Sequence, residues 1–164
     1  MENRIQIFHT DGLAGTRVHT AESSYVYRPL LPPQSPQAGQ CHIAVVGILP
    51  GKRSFDYHYH ETDEEVFYLI SGQGMLRTPQ GELPVKQGDC ILLPPGRENA
   101  HSIRNTSAEE KLVYIDFDTH NLPEITHFLD NGTVSVQGAY SSMNYKEDAG
   151  TAIQPRLKKG VREK

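Results

Sequence analysis

The sequence has no tryptophan and only two cysteines in 164 residues. Cys41 and Cys90 stand far apart, and neither has a second cysteine at a short spacing. The sequence therefore predicts neither a disulfide framework nor a thiolate zinc site. We expect both side chains to be small buried residues.

Long apolar runs and an excess of positive charge are also missing. No stretch reaches the roughly eighteen apolar residues that a membrane-spanning helix needs, and the start, MENRIQIFHTDG, lacks the basic and apolar regions of a secretory signal. Sixteen basic against twenty acidic side chains give a net charge of −4, which offers no positive surface for wrapping nucleic acid. We therefore predict a cytoplasmic protein that binds neither nucleic acid nor membrane and whose ligand is a small molecule.

Helical periodicity is scarce, whereas turn-forming residues are plentiful, with 14 glycines and 11 prolines. Aromatic and β-branched residues occur in short runs, which is typical of strands. From His42 onward a series of strand candidates is separated by turn sequences such as Pro50-Gly51 and Gly88-Asp89. Short strands with hairpin-sized gaps and no helices between them predict an all-β fold, either an antiparallel barrel or a jelly roll.

The chain divides into three predicted segments. Residues 1–40 form an N-terminal arm, in which RIQIF is typical of a short strand and the proline-rich stretch RPLLPPQSP disfavours helix and central strand. Residues 41–120 form the barrel core. Residues 121–164 form a C-terminal extension, in which NLPEITHFLDNG predicts a short helical turn or a cap over a barrel end, and the basic tail QPRLKKGVREK predicts a solvated terminus.

Two histidines and a carboxylate lie close together in the stretch GKRSFDYHYHETDEEVFYLISG, residues 51–72. Side chains on a strand alternate faces, so His58 and His60 point the same way with α-carbons about 7 Å apart. The bend ETDE returns the chain as a second strand whose first residue, Glu65, can lie beside the histidines and share a face with Phe67 and Leu69. One hairpin would then supply three metal ligands.

A fourth candidate ligand, His101, begins the strand that follows GDCILLPPGRENA. In an antiparallel roll this strand can return its first residue to the same mouth. Three histidines and one carboxylate would leave two positions of an octahedral ion open for water, dioxygen or a chelating ligand. The alternative is structural, because His-x-His pairs occur by chance on surface strands and acidic clusters such as ETDEE commonly only solvate a turn.

Both segments resemble the two motifs of the cupin superfamily. The first motif matches Gly51, His58, His60, Glu65 and Gly72, with six residues instead of five after Gly51. The second motif matches Gly88, Pro94, Gly96, His101 and Asn105, with four residues instead of two between Gly96 and the histidine. The resemblance covers residues 40–118 and implies a small single-domain protein with a double-stranded β-helix, or jelly-roll, barrel.

The resemblance also implies the ligand set of one divalent transition metal per chain, namely His58, His60, Glu65 and His101. Glu64 is the alternative carboxylate, but the six-residue count to Gly72 favours Glu65. Imidazole and carboxylate suit manganese, iron, cobalt, nickel or zinc, and a six-coordinate shell favours iron, manganese or nickel over zinc.

Two functional classes follow from such a site. The protein either binds a small oxygen-bearing molecule at the metal without turnover, or it is a metal-dependent dioxygenase, decarboxylase or isomerase acting on a carboxylated or sugar-like substrate. No residue identifies itself as a catalytic acid or base. Glu98 and Asn99, in the insertion before His101, are loop residues that could reach the mouth.

Several other residues carry weaker expectations. Asp116, Asp118 and His120 alternate in IDFDTH, which permits a weak second metal site or a polar rim. His42 could reach the pocket mouth, and Arg77 and Arg104 are expected to face solvent. A set of apolar outward-facing residues needs a cover, either the proline-rich arm or the second subunit of a homodimer, which the resemblance also favours: Tyr57, Tyr59, Val66, Tyr68 and Ile70.

Overall fold

The computed structural model describes Ile7, His9, residues 13–31 and 40–146, and the backbone of strand Thr151–Leu157. Most of the predicted strand RIQIF, most of the proline-rich segment and the end of the basic tail lie outside the described residues. Among those described, no helix is long and apolar enough to cross a membrane.

Regular structure in the described residues is almost entirely β, which confirms the predicted all-β jelly-roll fold. Its short helical element is one 3-10 turn, Arg97–Asn99. The strands are, in chain order, β1 Thr16–His19, β2 Ser24–Pro29, β3 Cys41–Ile48, β4 His58–His60, β5 Glu65–Ser71, β6 Gln73–Thr78, β7 Gly81–Lys86, β8 Cys90–Leu93, β9 Ser102–Asn105, β10 Leu112–Thr119, β11 Glu124–Phe128, β12 Thr133–Gln137, β13 Ser141–Lys146 and β14 Thr151–Leu157.

These strands form three sheets within the described part of the chain. The largest has the order β1-β2-β3-β10-β5-β8, a second has the order β14-β13-β12-β11-β4, and a third has the order β7-β6-β9. All strand pairs are antiparallel. An antiparallel bridge between His58 and His101 joins the second sheet to the third, so together these two sheets form a layer facing the first.

Alternation along the strands produces the core. In β5 the buried positions are Glu65, Phe67 and Leu69, and in β10 they include Tyr114 and Asp116. Apolar side chains fill one end of the space between the layers, where the rings of Phe67 and Tyr114 lie 4.5 Å apart. At the other end the same inward positions carry carboxylates, so the barrel changes from apolar to polar along its length.

Asn105, from the second motif, has a structural role in closing the turn between β9 and β10. Its side chain is fully buried, and its amide donates hydrogen bonds to the backbone carbonyls of Ile48 and Glu110. Its side-chain oxygen accepts a hydrogen bond from the backbone N–H of Ser107. The motif asparagine thereby holds the ends of three segments together.

The C-terminal extension differs from the sequence expectation. NLPEITHFLDNG was expected to form a helical turn or a cap, but Glu124–Phe128 is strand β11, which pairs with β4. The register places Thr126 opposite His60 and Phe128 opposite His58. The short EITHF strand is too brief for its alternation to stand out in the sequence, and it is specified by its neighbours. The boundaries 1–40, 41–120 and 121–164 stay a prediction.

The outer surface also differs in part from what the sequence suggested. Cys90 is exposed, contrary to expectation, because its strand β8 lies at the edge of the largest sheet. Tyr57 is covered by the Arg77 guanidinium, which lies 3.9 Å from the ring centroid, and Tyr59 stacks on His127. An exposed apolar strip remains on β5 and β8, formed by Tyr68, Ile70 and Leu92.

Candidate metal centre

The predicted ligands come from opposite layers of the barrel. His58 and His60 project from β4, and the backbone groups of His58 and His101 exchange two hydrogen bonds, of 3.1 and 2.8 Å. Glu65 is the first residue of β5 in the facing sheet. The structure thus brings all four sequence-predicted residues together at the polar end of the barrel.

The atoms that would bind a metal converge. Nε2 of His101 lies 2.6 Å from Oε2 of Glu65, and Nε2 of His60 lies 3.9 Å from the same oxygen. Ligand atoms of His58, His60 and Glu65 all lie within 4.8 Å of one another. Two ligands that are each about 2 Å from one ion are separated by roughly 3–4 Å. The spacing between His60 and Glu65 lies in this range, whereas the contact between His101 and Glu65 is shorter than it.

Backbone carbonyls fix the tautomers of two histidines. Nδ1 of His58 lies 2.7 Å from the Asp56 carbonyl oxygen, and Nδ1 of His101 lies 3.0 Å from the Asn99 carbonyl oxygen. Because a carbonyl only accepts, each Nδ1 must carry the proton, and a neutral ring then presents a lone pair at Nε2. This is the arrangement in which protein histidines bind metals.

The short contact between His101 and Glu65 needs either a proton on Glu65 or a cation. Both Nε2 of His101 and Oε2 of Glu65 are buried and have no hydrogen-bond partner, although they lie 2.6 Å apart. With the His101 proton on Nδ1, two acceptors face each other. Without a cation or an additional proton between them, this contact is repulsive.

Burial governs the protonation of the site. It lowers the pKa of His58 well below its ordinary range, assisted by the neighbouring rings of His101 and His60, and it also lowers the pKa of His101. Burial, together with the charge of Asp118, raises the pKa of Glu65 to about 8. Neutral imidazoles are ready to bind a metal, whereas Glu65 would release its proton when a cation binds.

Glu65 and Glu64 occupy opposite faces of the chain. Glu65 is 3% exposed and faces the histidines, whereas Glu64 is exposed. This geometry favours Glu65 over the alternative carboxylate.

A further carboxylate, which the sequence analysis did not identify, supports His60 from behind. Oε1 of Glu124, from β11, lies 3.2 Å from Nδ1 of His60 and accepts a hydrogen bond from the backbone N–H of Glu61. Its Oε2 accepts hydrogen bonds from the backbone N–H groups of Thr62 and Asp63 and from the Thr62 hydroxyl. Glu124 therefore orients His60 and holds the bend between β4 and β5 at the same time.

The pKa values of Glu124 and His60 shift in the directions that favour an ion pair between them. Burial alone would raise the pKa of Glu124, but hydrogen bonds from His60 and Thr62 outweigh it and lower that pKa. Burial opposes protonation of His60, yet the Glu124 carboxylate raises the pKa of His60 overall. The second nitrogen of His60, Nε2, stays directed toward Glu65.

Two more carboxyl groups lie beside Glu65. Asp116 and Asp118 occupy alternate positions of β10, and ligand oxygens of all three residues lie within 4.8 Å of one another. Burial and the neighbouring carboxylates raise the pKa of Asp118 to about 8 and that of Asp116 well above its ordinary range. The sequence showed that the two aspartates alternate, but not that they meet Glu65.

A cavity of about 320 Å³ opens onto these groups. This is at the small end of the range for small-molecule sites, so it suits a ligand of few non-hydrogen atoms. Its walls combine apolar rings with polar groups: Tyr27, His42, Phe55, His58, His60, Asp63, Glu65, Asp116, Asp118, Glu124, Thr126, Phe128 and Gln137.

The remaining candidates lie elsewhere or have other partners. Arg77 pairs with Asp130 at 2.8 Å, and Arg104 lies 3.6 Å from Glu82, so neither lines the cavity. His42 does line it, and the ring of His120 packs against His42 at a tilt, with centroids 4.4 Å apart.

The donor set fits a divalent transition metal. It consists of two imidazole Nε2 atoms with fixed tautomers, a third imidazole oriented by a carboxylate, and a buried carboxylate oxygen without a hydrogen-bond partner. Such a mixed nitrogen and oxygen set suits several first-row metals.

Comparison with known proteins agrees with this architecture. A family model described as the cupin domain matches residues 44–118. An uncharacterized protein from Methanocaldococcus jannaschii is 30% identical over 80 residues, which are 49% of this chain and 62% of that one. An oxalate-binding protein from Thermotoga maritima is 34% identical over 58 residues, which are 35% of this chain and 46% of that one. The chain thus spans less than two thirds of the length of either relative.

Solved structures of the same shape exist. The crystal structure of a sugar phosphate isomerase of the cupin superfamily from Silicibacter pomeroyi superposes with a TM-score of 0.70 at 23% identity, over 88% of this chain and 94% of that chain. At this level of identity the likeness shows the fold alone.

Proposed function

A family model of the cupin domain matches residues 44–118, and we propose that the protein binds one divalent transition metal and, at that metal, a small oxygen-bearing molecule. The metal ligands would be His58, His60, Glu65 and His101. The observation that carries this proposal is the convergence of the ligand atoms: those of His58, His60 and Glu65 lie within 4.8 Å of one another, and Nε2 of His101 lies 2.6 Å from Oε2 of Glu65.

The metal, when bound, would supply a Lewis-acid centre with positions open to a chelating ligand. The chain contributes the surroundings. Phe55 and Phe128 form an apolar part of the cavity wall, while the polar side chains of Thr126 and Gln137 would donate hydrogen bonds to ligand oxygens. Glu124 keeps His60 in its orientation. Iron, manganese or nickel is the proposed metal, because two open positions in a six-coordinate shell suit these ions better than zinc.

A metal-dependent enzyme is the alternative function. The observation in its favour is that Asp116 and Asp118 line the cavity and have raised pKa values, so each can hold a proton beside a bound ligand. The oxalate-binding relative suggests small carboxylated molecules as ligands, and the cavity volume suits molecules of that size.

We also propose a homodimer formed through the exposed strip Tyr68, Ile70 and Leu92, because three large apolar side chains on neighbouring strands favour a covered surface. Sedimentation at several concentrations tests it, and a monomer at all concentrations would contradict it. The cytoplasmic location stays a prediction.

Metal content per chain is the primary test. Protein purified without chelator or added metal is expected to contain close to one equivalent of iron, manganese or nickel. His60→Ala should lower this content while far-UV circular dichroism stays unchanged, because a cavity ligand contributes less to the core than Phe67 does. The matched control is His127→Ala, which removes a histidine from the neighbouring strand β11. A full equivalent of metal in His60→Ala would refute the ligand assignment.

A further inference from the structure

Three carboxyl groups meet at the cavity wall opposite the histidines. We propose that Glu65, Asp116 and Asp118 hold a second cation, a hard divalent ion such as Mg²⁺ or Mn²⁺, beside the transition metal of the histidine site. The inference rests on the proposed function in one respect, because Glu65 belongs to both positions.

Strand register brings the three groups together. Asp118 lies directly opposite Glu65 in the β10–β5 pair, and Asp116 lies opposite Phe67. Since alternate residues of a strand share a face, both aspartates project toward the side on which Glu65 lies. Ligand oxygens of the three residues lie within 4.8 Å of one another, a spacing that one ion can bridge.

The aspartates have unmet bonding capacity. Asp116 is 3% exposed, and its Oδ1 is buried without a hydrogen-bond partner. Oδ1 of Asp118 is likewise buried and without a partner. Neither lysine nor arginine occurs among the described residues that line the cavity, so the positive charge that can compensate the carboxylates there comes from histidine alone. Buried carboxylates without compensation are strongly disfavoured.

The donor chemistry selects the class of ion. Carboxylate oxygens with no imidazole among them suit Mg²⁺, Ca²⁺ or Mn²⁺, whereas the histidine site suits later transition metals. Both aspartates line the cavity, so solvent can fill the remaining coordination positions. A carboxylate shared between two ions about 3.5–4 Å apart is the usual construction of two-metal sites.

Protons are the competing way to neutralise the cluster. The raised pKa values of all three groups describe the protein without metal, in which the carboxyl groups would share protons at neutral pH. A second cation and shared protons make different predictions for metal stoichiometry. The experiment therefore counts ions.

Protein would first be loaded with one equivalent of Co²⁺, which binds nitrogen ligands more tightly than Mn²⁺, and then titrated with Mn²⁺ followed by electron paramagnetic resonance. Wild type should hold one Co²⁺ and one Mn²⁺ per chain. Asp116→Asn and Asp118→Asn should keep Co²⁺ and weaken Mn²⁺ binding. The affinity for Mn²⁺ should fall at least roughly 10–100-fold, which is the loss seen when a hydrogen-bond partner of a metal ligand is removed. Asparagine preserves the shape of a protonated aspartate, so both variants should fold, and exposed Glu64→Gln is the matched control.

His60→Ala separates this inference from the proposed function. The variant should lose Co²⁺ but keep the Mn²⁺ equivalent, because Glu65, Asp116 and Asp118 are intact. Absence of Co²⁺ binding in the wild type, together with Mn²⁺ binding that the aspartate variants weaken and His60→Ala leaves unchanged, would overturn the histidine site and leave the carboxylate site standing. No Mn²⁺ uptake by Co²⁺-loaded wild type, or unchanged Mn²⁺ affinity in both aspartate variants, would overturn the second cation and assign protons to the cluster.

Discussion

Replacing Glu124 with glutamine should weaken both the fold and the metal site. The substitution keeps the size of the side chain but turns one acceptor oxygen into an amide donor. Oε1 faces Nδ1 of His60 and accepts a hydrogen bond from the Glu61 N–H. Oε2 accepts three hydrogen bonds, from the N–H groups of Thr62 and Asp63 and from the Thr62 hydroxyl. Whichever way the amide turns, at least two donors face an NH₂ group and lose their acceptor.

The expected magnitude follows from those contacts. A hydrogen bond to a charged group contributes about 1.5–3 kcal/mol net. Thr62 is exposed and can turn to water, so two lost bonds should cost about 2–3 kcal/mol rather than the full sum. For a chain of this size that corresponds to a fall in Tm of roughly 4–12 °C. Metal affinity should fall roughly 10–100-fold because His60 loses its orienting carboxylate.

Thermal unfolding of the metal-free protein and competition with a chelator measure the two effects separately. Glu61→Gln is the control, since it removes the same charge one residue after His60 from an exposed carboxylate that pairs with His127. The wild-type advantage should also depend on pH. The pKa of Glu124 is lowered from 4.5, so its stabilisation is complete above about that pH and is lost as pH falls through the lower folded value. If Glu124→Gln unfolds at the wild-type temperature and keeps its metal affinity, the assigned role is wrong.

Three other substitutions test the fold and the ligand set. Glu65→Gln should lower metal content while Glu64→Gln leaves it unchanged, because only Glu65 faces the histidines, and elemental analysis showing the reverse would exchange their roles. Gly72→Ala should lower the free energy of unfolding by roughly 1–3 kcal/mol, because Gly72 has φ +85° and an added Cβ would lie 2.6 Å from the Lys111 carbonyl oxygen. Urea unfolding measures this loss, and an unchanged unfolding midpoint would contradict it. Asn105→Ala should cost about 3 kcal/mol by leaving buried backbone groups unpaired, and equal loss of metal in the folded variant would show a role beyond the turn.

The alternation of side chains along a strand was enough to predict the part of the metal site that lies within the hairpin of β4 and β5. Alternation placed Glu65 with Phe67 and Leu69 and put Glu64 on the other face, as the burial pattern of β5 shows. The antiparallel roll made His101 a candidate and the family resemblance named it as a ligand, but its approach to His58 depends on a bridge between segments more than forty residues apart in the chain.

Contacts between strands that are distant in the chain could not be predicted from the sequence. Glu124 lies 64 residues after His60, and nothing in EITHF marks its first residue as the partner of a ligand. Asp116 and Asp118 were visible as an alternating pair, but the register that sets Asp118 against Glu65 belongs to the β10–β5 pairing. Such pairings are decided by the packing of whole sheets, which a period of two residues does not encode.

The three-residue strand β4 is bordered by β11 on one side and bridged to His101 on the other. A metal bound by His58, His60 and His101 would therefore stabilise the contact between the core and the sheet that contains β4 and β11–β14, here called the C-terminal sheet. By thermodynamic linkage, an ion that binds more tightly when β11 is paired with β4 must favour that pairing by the same free energy, and local opening of β11 must weaken binding of the ion by that amount. The rate of proteolysis of the C-terminal sheet should therefore report metal occupancy. Changes in the C-terminal extension should in turn alter the metal affinity of a site whose proposed ligands lie in another part of the chain.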